Sequence, residues 1–153
     1  MVERAIDKKG VLRVPRPLQQ LYKDILMDHA RRPRNAGSLE RPDLQASVVN
    51  PLCGDELSVY VTLKGEKIQE VRFRVRGCAI ATASASMLSE QIKGLTLAEV
   101  LGMERGFQEA IAKREAALPE ELEPLEPLLS VRDYPHRQSC ARLPWDALRA
   151  LEK

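Results

Sequence analysis

An α+β fold is predicted, with an N-terminal helix, a small three-stranded antiparallel sheet and further helices packed on one side of it. Three observations predict it. Apolar residues recur at helical spacing early in the chain. They then alternate with polar residues at a period of two. After Cys78 only helical patterns remain. The 153 residues, 44% hydrophobic and 30% charged, suit one globular domain with its own core.

The elements follow in order. Residues 1–17 carry Pro15, Pro17 and a Lys-Lys-Gly and read as a flexible extension before a single domain over 18–153. Leu18, Leu21, Tyr22, Ile25 and Leu26 form the apolar stripe of a helix that ends before Pro33. His29 extends that stripe and reads as a packed helix histidine, because no histidine or carboxylate partners it at i+4. Ala46 to Val49 is a short apolar strand. Leu57, Val59, Val61 and Leu63 alternate with polar neighbours, Lys64 to Lys67 is a hairpin turn, and Val71, Phe73 and Val75 alternate with Arg72, Arg74 and Arg76. The arginine row reads as a solvated face. The alanine- and serine-rich stretch after Cys78 is a helix ending at Gly94. Thr96-Leu97-Ala98-Glu99 is a capping box that opens another helix. That charged helical region is expected to reach about Ala117, after which Pro119, Pro124 and Pro127 break up an acidic, leucine-bearing segment. Pro144 is expected in the first turn of the terminal helix, with Cys140 in a short turn before it.

Composition removes several function classes. A net charge of +2 and 4% aromatic residues argue against a nucleic-acid surface. No stretch approaches the ~18 apolar residues of a membrane span. The first ten residues contain acids and lack an apolar run, unlike a secretory signal. A cytoplasmic setting is therefore expected, where thiols stay reduced. Three cysteines are an odd number, so at least one stands outside any internal disulfide.

Those cysteines carry the chemistry. In Asn50-Pro51-Leu52-Cys53-Gly54-Asp55 a thiol and a carboxylate lie two residues apart, so in extended chain they point the same way. Cys78 falls where the third strand meets a helix N-terminus, a position that favours thiolate. The hairpin brings the end of that strand back beside Asp55, and a helix crossing suffices to add Cys140. Three thiolates and a carboxylate make a tetrahedral set that suits zinc, iron or copper(I). The spacing lacks a CxxC pair, so it leaves open that each cysteine is a separate small buried residue.

The pieces LYKDILMDHARRPRNAG, NPLCGD, GCAIATASASMLSE and RQSCARLPW, in this order, resemble the U-type iron–sulfur scaffold family, which contains IscU and the N-terminal part of NifU. Ser139 stands where those scaffolds have histidine. Arg137 lies three residues before Cys140, and a helical insertion occupies about 104–134. These features are similar to the SufU branch. The resemblance implies the fold shared by SufE and IscU proteins and zinc held by Cys53, Asp55, Cys78 and Cys140. It implies sulfur taken as persulfide from a pyridoxal-phosphate cysteine desulfurase of SufS type and passed to Suf components or apoproteins. A desulfurase histidine would replace Cys53 on the metal, making Cys53 the acceptor, with Cys140 the second candidate. Arg137 would stabilise a thiolate or persulfide. The alternatives are a scaffold for a transient [2Fe–2S] cluster or iron on Cys53, Cys78 and Cys140, and a zinc-stabilised interaction module without catalysis. A cysteine hydrolase would need His29 or His136 as base.

Overall fold

A computed structural model describes residues 5–6, 12–13, 16–114 and 116–152. The expected extension over 1–17 lies mostly outside these. Its described part is an antiparallel pair of two-residue strands, β1 (Ala5–Ile6) with β2 (Leu12–Arg13), and Arg16 and Pro17, which belong to the first helix rather than to an extension. Then follow α1 (Arg16–Arg31), β3 (Leu44–Val49), β4 (Glu56–Lys64), β5 (Lys67–Arg76), α2 (Ala79–Ile92) and α3 (Leu97–Ala112). A 3₁₀ segment (Glu120–Asp133) leads into α4 (Pro135–Ala150). The expected α+β architecture is present.

The sheet is an antiparallel meander in the order β3-β4-β5. Alternation decides its faces: Leu57, Val59, Val61, Val71 and Phe73 are buried, while Ser47 and Arg74 face solvent. The outer edge of β5 is covered by two loops. Asn35 and Gly37 bond Phe73 on one, and Gly94 and Leu95 bond Ile68 on the other. Both α2 and α4 pack on the buried side of the sheet and against each other. In α2 the small residues Ala81, Ala83, Ser84 and Ala85 are buried, which lets its backbone approach its neighbours closely. The capping box forms as expected: Thr96 Oγ accepts from the Glu99 amide, and Glu99 accepts from the Thr96 amide.

Three expectations change. The helix opened by Thr96 ends at Ala112 rather than near Ala117. The proline-bearing segment is not broken up but wound as a 3₁₀ helix. Leu122, Leu125, Leu128 and Val131 recur every three residues, which aligns side chains along one face of that helix. All four are buried, and the segment touches all four α-helices. Cys140 lies within α4, not in a turn before it, and Pro135 rather than Pro144 occupies the first turn. Pro144 has no N–H for the Cys140 carbonyl four residues back. The helix persists through it because Leu143, Pro144, Trp145 and Leu148 are all buried in the core. Ser84 of α2 also donates to the Ala141 carbonyl at 2.7 Å.

The two largest fully buried side chains pack together, Phe107 of α3 on Trp145 of α4, with ring centroids 5.3 Å apart. Beside them Arg149 donates to both carboxylate oxygens of the buried Glu104, pinning α4 to α3.

His29 is a packed histidine, as expected. Its Nδ1 shares a 2.7 Å hydrogen bond with Ser86 Oγ, which also accepts the Arg34 amide. Burial, with help from Arg34, pushes its pKa below the ordinary value, against Glu90 and Asp28. Below the unfolded value of about 6.5 the unfolded chain therefore binds a proton that the folded chain still refuses. Stability from this site is full above that pH and is lost as pH falls toward the folded pKa. His29→Gln should flatten the loss of urea midpoint between about pH 7 and pH 5; parallel curves for parent and variant would remove His29 from that dependence.

Candidate metal centre

The register of the sheet sets the site. Glu56 pairs with Arg76 and Leu57 with Val75, so the residue before β4 lies beside the residues after β5. Asp55 thereby meets Gly77 and Cys78. The Cys78 amide donates to Asp55 Oδ2 at 3.2 Å. Gly77 is required here: a Cβ at that position would collide with the Asp55 carboxyl group.

The loop carrying Cys53 is closed at its base by Asn50. The Asn50 amide donates to the Asp55 carbonyl, and the Gly54 amide donates to the Asn50 carbonyl, both at 2.7 Å. The Asn50 side chain accepts the Leu52 amide through Oδ1. Its Nδ2 donates to Ser139 Oγ at 3.0 Å, and Ser139 in turn donates to the His136 carbonyl. One buried asparagine thus folds the loop and ties it to α4 beside Cys140. Gly54 turns the chain with φ of 75°, in the left-handed region that favours glycine.

These constraints bring Cys53, Asp55 and Cys140 together, with one ligand atom of each within 4.8 Å of the others. The two thiols are 3.8 Å apart. Cys53 is exposed, whereas Asp55 and Cys140 are buried. Cys78 stands at the border of this group. Its thiol caps α2, accepting the Ala81 amide at 3.5 Å, and also reaches the Asp55 carboxylate. Burial pushes the Asp55 pKa up, but the Cys78 amide and the thiols of Cys78, Cys53 and Cys140 outweigh it and hold the group below its usual value. Burial first, then hydrogen bonds and charge from Cys78 and Cys53, push the Cys140 thiol far up.

The donor set fits a soft divalent ion. Zinc–sulfur bonds of about 2.3 Å in a tetrahedron give a sulfur–sulfur edge of about 3.8 Å. The Cys53–Cys140 separation has that length. A bound dication also supplies the charge that would let a buried thiol ionise. Cys53, Asp55 and Cys140 would hold it, with Cys78 adjacent as the fourth donor.

Other sequence candidates lie apart. Arg137 is exposed one helical turn from Cys140, and among the described residues its side chain has no hydrogen-bond or ionic partner. His29 is engaged with Ser86, on the α1–α2 contact. His136 is exposed and reaches the site only through its carbonyl, which accepts from Ser139 and, at 3.7 Å, from the Cys140 thiol. Sequence reasoning missed Asn50 and Gly77. Asn50 opens the NPLCGD stretch as an asparagine before a proline, a turn signal. Gly77 precedes Cys78 with no turn requirement, a sign of close packing.

A model of the NifU-like N-terminal domain matches residues 21–141. The chain belongs to this family. Among its relatives, the zinc-dependent sulfurtransferase SufU of Bacillus subtilis (strain 168) is 35% identical over 131 residues, covering 86% of this chain and 88% of that protein. The iron–sulfur cluster assembly scaffold protein IscU of Streptococcus pyogenes serotype M1 is 34% identical over 132 residues, covering 86% and 82%. The crystal structure of FiSufU from Fervidobacterium islandicum AW-1 superposes with a TM-score of 0.78 at 31% identity, covering 88% of this chain and 98% of that one. For this NifU-like domain, among the described residues, no helix is long and apolar enough to cross a membrane.

Two substitutions test the scaffolding. Gly77→Ala should displace Asp55, and Asn50→Ala should untie the loop from α4. Each should weaken zinc retention against a competing chelator by roughly 10–100-fold, as loss of a ligand's supporting contacts does. Unchanged retention in a folded variant would remove that residue from the support of the site.

Proposed function

We propose that the chain is a zinc-dependent sulfur acceptor in iron–sulfur cluster assembly. It would take persulfide sulfur from a pyridoxal-phosphate cysteine desulfurase of SufS type and relay it toward Suf assembly components or apoproteins. The observation that carries this reading is the asymmetry of the site: Cys53 is exposed on a glycine turn while Asp55 and Cys140 are buried behind it. A donor can reach Cys53 without unpacking the other two. Zinc bound there would keep the thiolates deprotonated and shield them from unwanted reaction.

The step asked of Cys53 is thiolate attack on the outer sulfur of the donor's persulfide. A new sulfur–sulfur bond forms on Cys53, the donor's own sulfur–sulfur bond breaks, and the donor cysteine leaves as thiolate. Leu52 is 78% exposed beside Cys53 and offers an apolar contact to the donor. Arg137 would balance the negative charge of the persulfide from α4. A cytoplasmic setting fits a chemistry that needs reduced thiols.

The similarity to a scaffold protein supports a second reading, in which the same cysteines assemble and hand on a [2Fe–2S] cluster. Anaerobic reconstitution separates the two: a stable, transferable cluster that displaces zinc favours the scaffold.

For the acceptor, metal analysis should find about one zinc per chain, and the chain should stimulate its desulfurase. Cys53→Ala should lower sulfur acceptance at least roughly tenfold, since it removes the attacking thiol. Full acceptance by that variant would sink the assignment of Cys53. Leu52→Asp should raise the concentration needed for half-stimulation with zinc content unchanged, and an unshifted curve would remove Leu52 from the contact.

A further inference from the structure

We propose that the open face of the sheet, beside the metal centre, docks the acidic face of a partner protein through the arginine column of β5. The surface is independent of which reading of the metal centre holds.

The helices cover one side of the sheet, and alternation sends every second residue to the other. In register, Val49–Glu56–Arg76, Ser47–Ser58–Arg74 and Gln45–Tyr60–Arg72 form rows across that open side. Arg74 and Arg76 are exposed, and among the described residues neither side chain has a hydrogen-bond or ionic partner. Arg72 is tethered, to Glu70 at 2.7 Å and to Asn35 at 3.0 Å. The column is thus neutralised at one end and free at the other. The free end reaches the metal centre, since Gly77 alone separates Arg76 from Cys78.

The chemistry of this face is that of an interface. Its cations are arginines, while Lys64 and Lys67 stand off at the hairpin turn. A guanidinium grips a carboxylate with two parallel N–H groups and gives up water more readily than an ammonium. Ser47 and Ser58 bond each other at 2.7 Å and engage no arginine. Val49, 58% exposed, and the half-buried Tyr60 add apolar surface between the charges. Arginine and tyrosine are the residues that protein interfaces concentrate, and lysine is depleted there.

The charge pattern selects the occupant. Alternate residues of a strand stand about 7 Å apart, which sets the pitch of the carboxylates that would meet Arg74 and Arg76. A phosphate chain is uniformly negative, and Glu70 and Glu56 flank the two ends of the column and would repel it. A second copy of this chain would bring the same cations. A protein face of carboxylates with cations at its margin matches the column and both flanking glutamates.

The test titrates the zinc-loaded full chain at low ionic strength with a peptide alternating glutamate and threonine, and follows backbone amide shifts by NMR. The expected shifts fall on Ser47, Ser58, Tyr60 and Arg74 and fade as salt is raised. Arg74→Gln with Arg76→Gln should weaken binding at least roughly fivefold with zinc retention unchanged. Arg105→Gln with Lys113→Gln removes the same charge from exposed positions on α3 and at its C-cap, and should bind as the parent does. No binding, shifts confined to other surfaces, or equal loss in both double variants overturns the proposal. Equal affinity for a lysine–threonine peptide overturns it too, because the contact would then not read charge. Equal affinity for duplex DNA does the same, because the face would then be a general polyanion surface.

Discussion

The Asp55 carboxylate is the contact on which the site's arrangement depends. It is nearly buried at the junction of β4, β5 and α2, where a carboxylate is tolerated only if its oxygens are satisfied. The Cys78 amide, offered at the start of α2, meets one oxygen. That bond ties the end of the β3–β4 loop to the start of α2. The absence of a side chain at Gly77 lets the carboxyl group lie flat against the chain. The three-residue reach from Cys53 to Asp55 then sets where the exposed thiol stands.

Much of the fold was legible because its signals are local. Alternation along Leu57–Leu63 and Val71–Val75, the Thr96–Glu99 capping box and the α1 stripe each need only a few neighbouring residues. The misreadings came where tertiary packing overrides a local rule. Pro144 reads as a helix start, yet core burial on both sides keeps α4 continuous through it. Pro124 and Pro127 read as breakers, yet they sit in a helix of different pitch. At the site, the types of ligand were legible and the hairpin logic placed Asp55 beside Cys78. Asn50 and Gly77 were not, because their roles are fixed by residues 89 positions away and by a cross-strand clash.

Ser139 belongs to the frame of the site. The Ser139 hydroxyl is the hinge pin between Asn50 and α4: it accepts from Asn50 and donates to the His136 carbonyl. The residue next to Cys140 thus forms part of the wall of the site. The buried thiol and the carboxylate are thereby held, while the exposed thiol keeps the freedom of a glycine turn.

The 3₁₀ segment has a consequence for how such a chain can vary in length. Leu122, Leu125, Leu128 and Val131, four of its buried residues, fall every third position, and the segment touches all four α-helices. Adding or deleting three residues would return the same stripe to the core, whereas one or two would turn that stripe away from it. A change of length between α3 and α4 would therefore be accommodated best in triplets, which keep that stripe in step and leave α4, and Cys140 with it, facing the sheet.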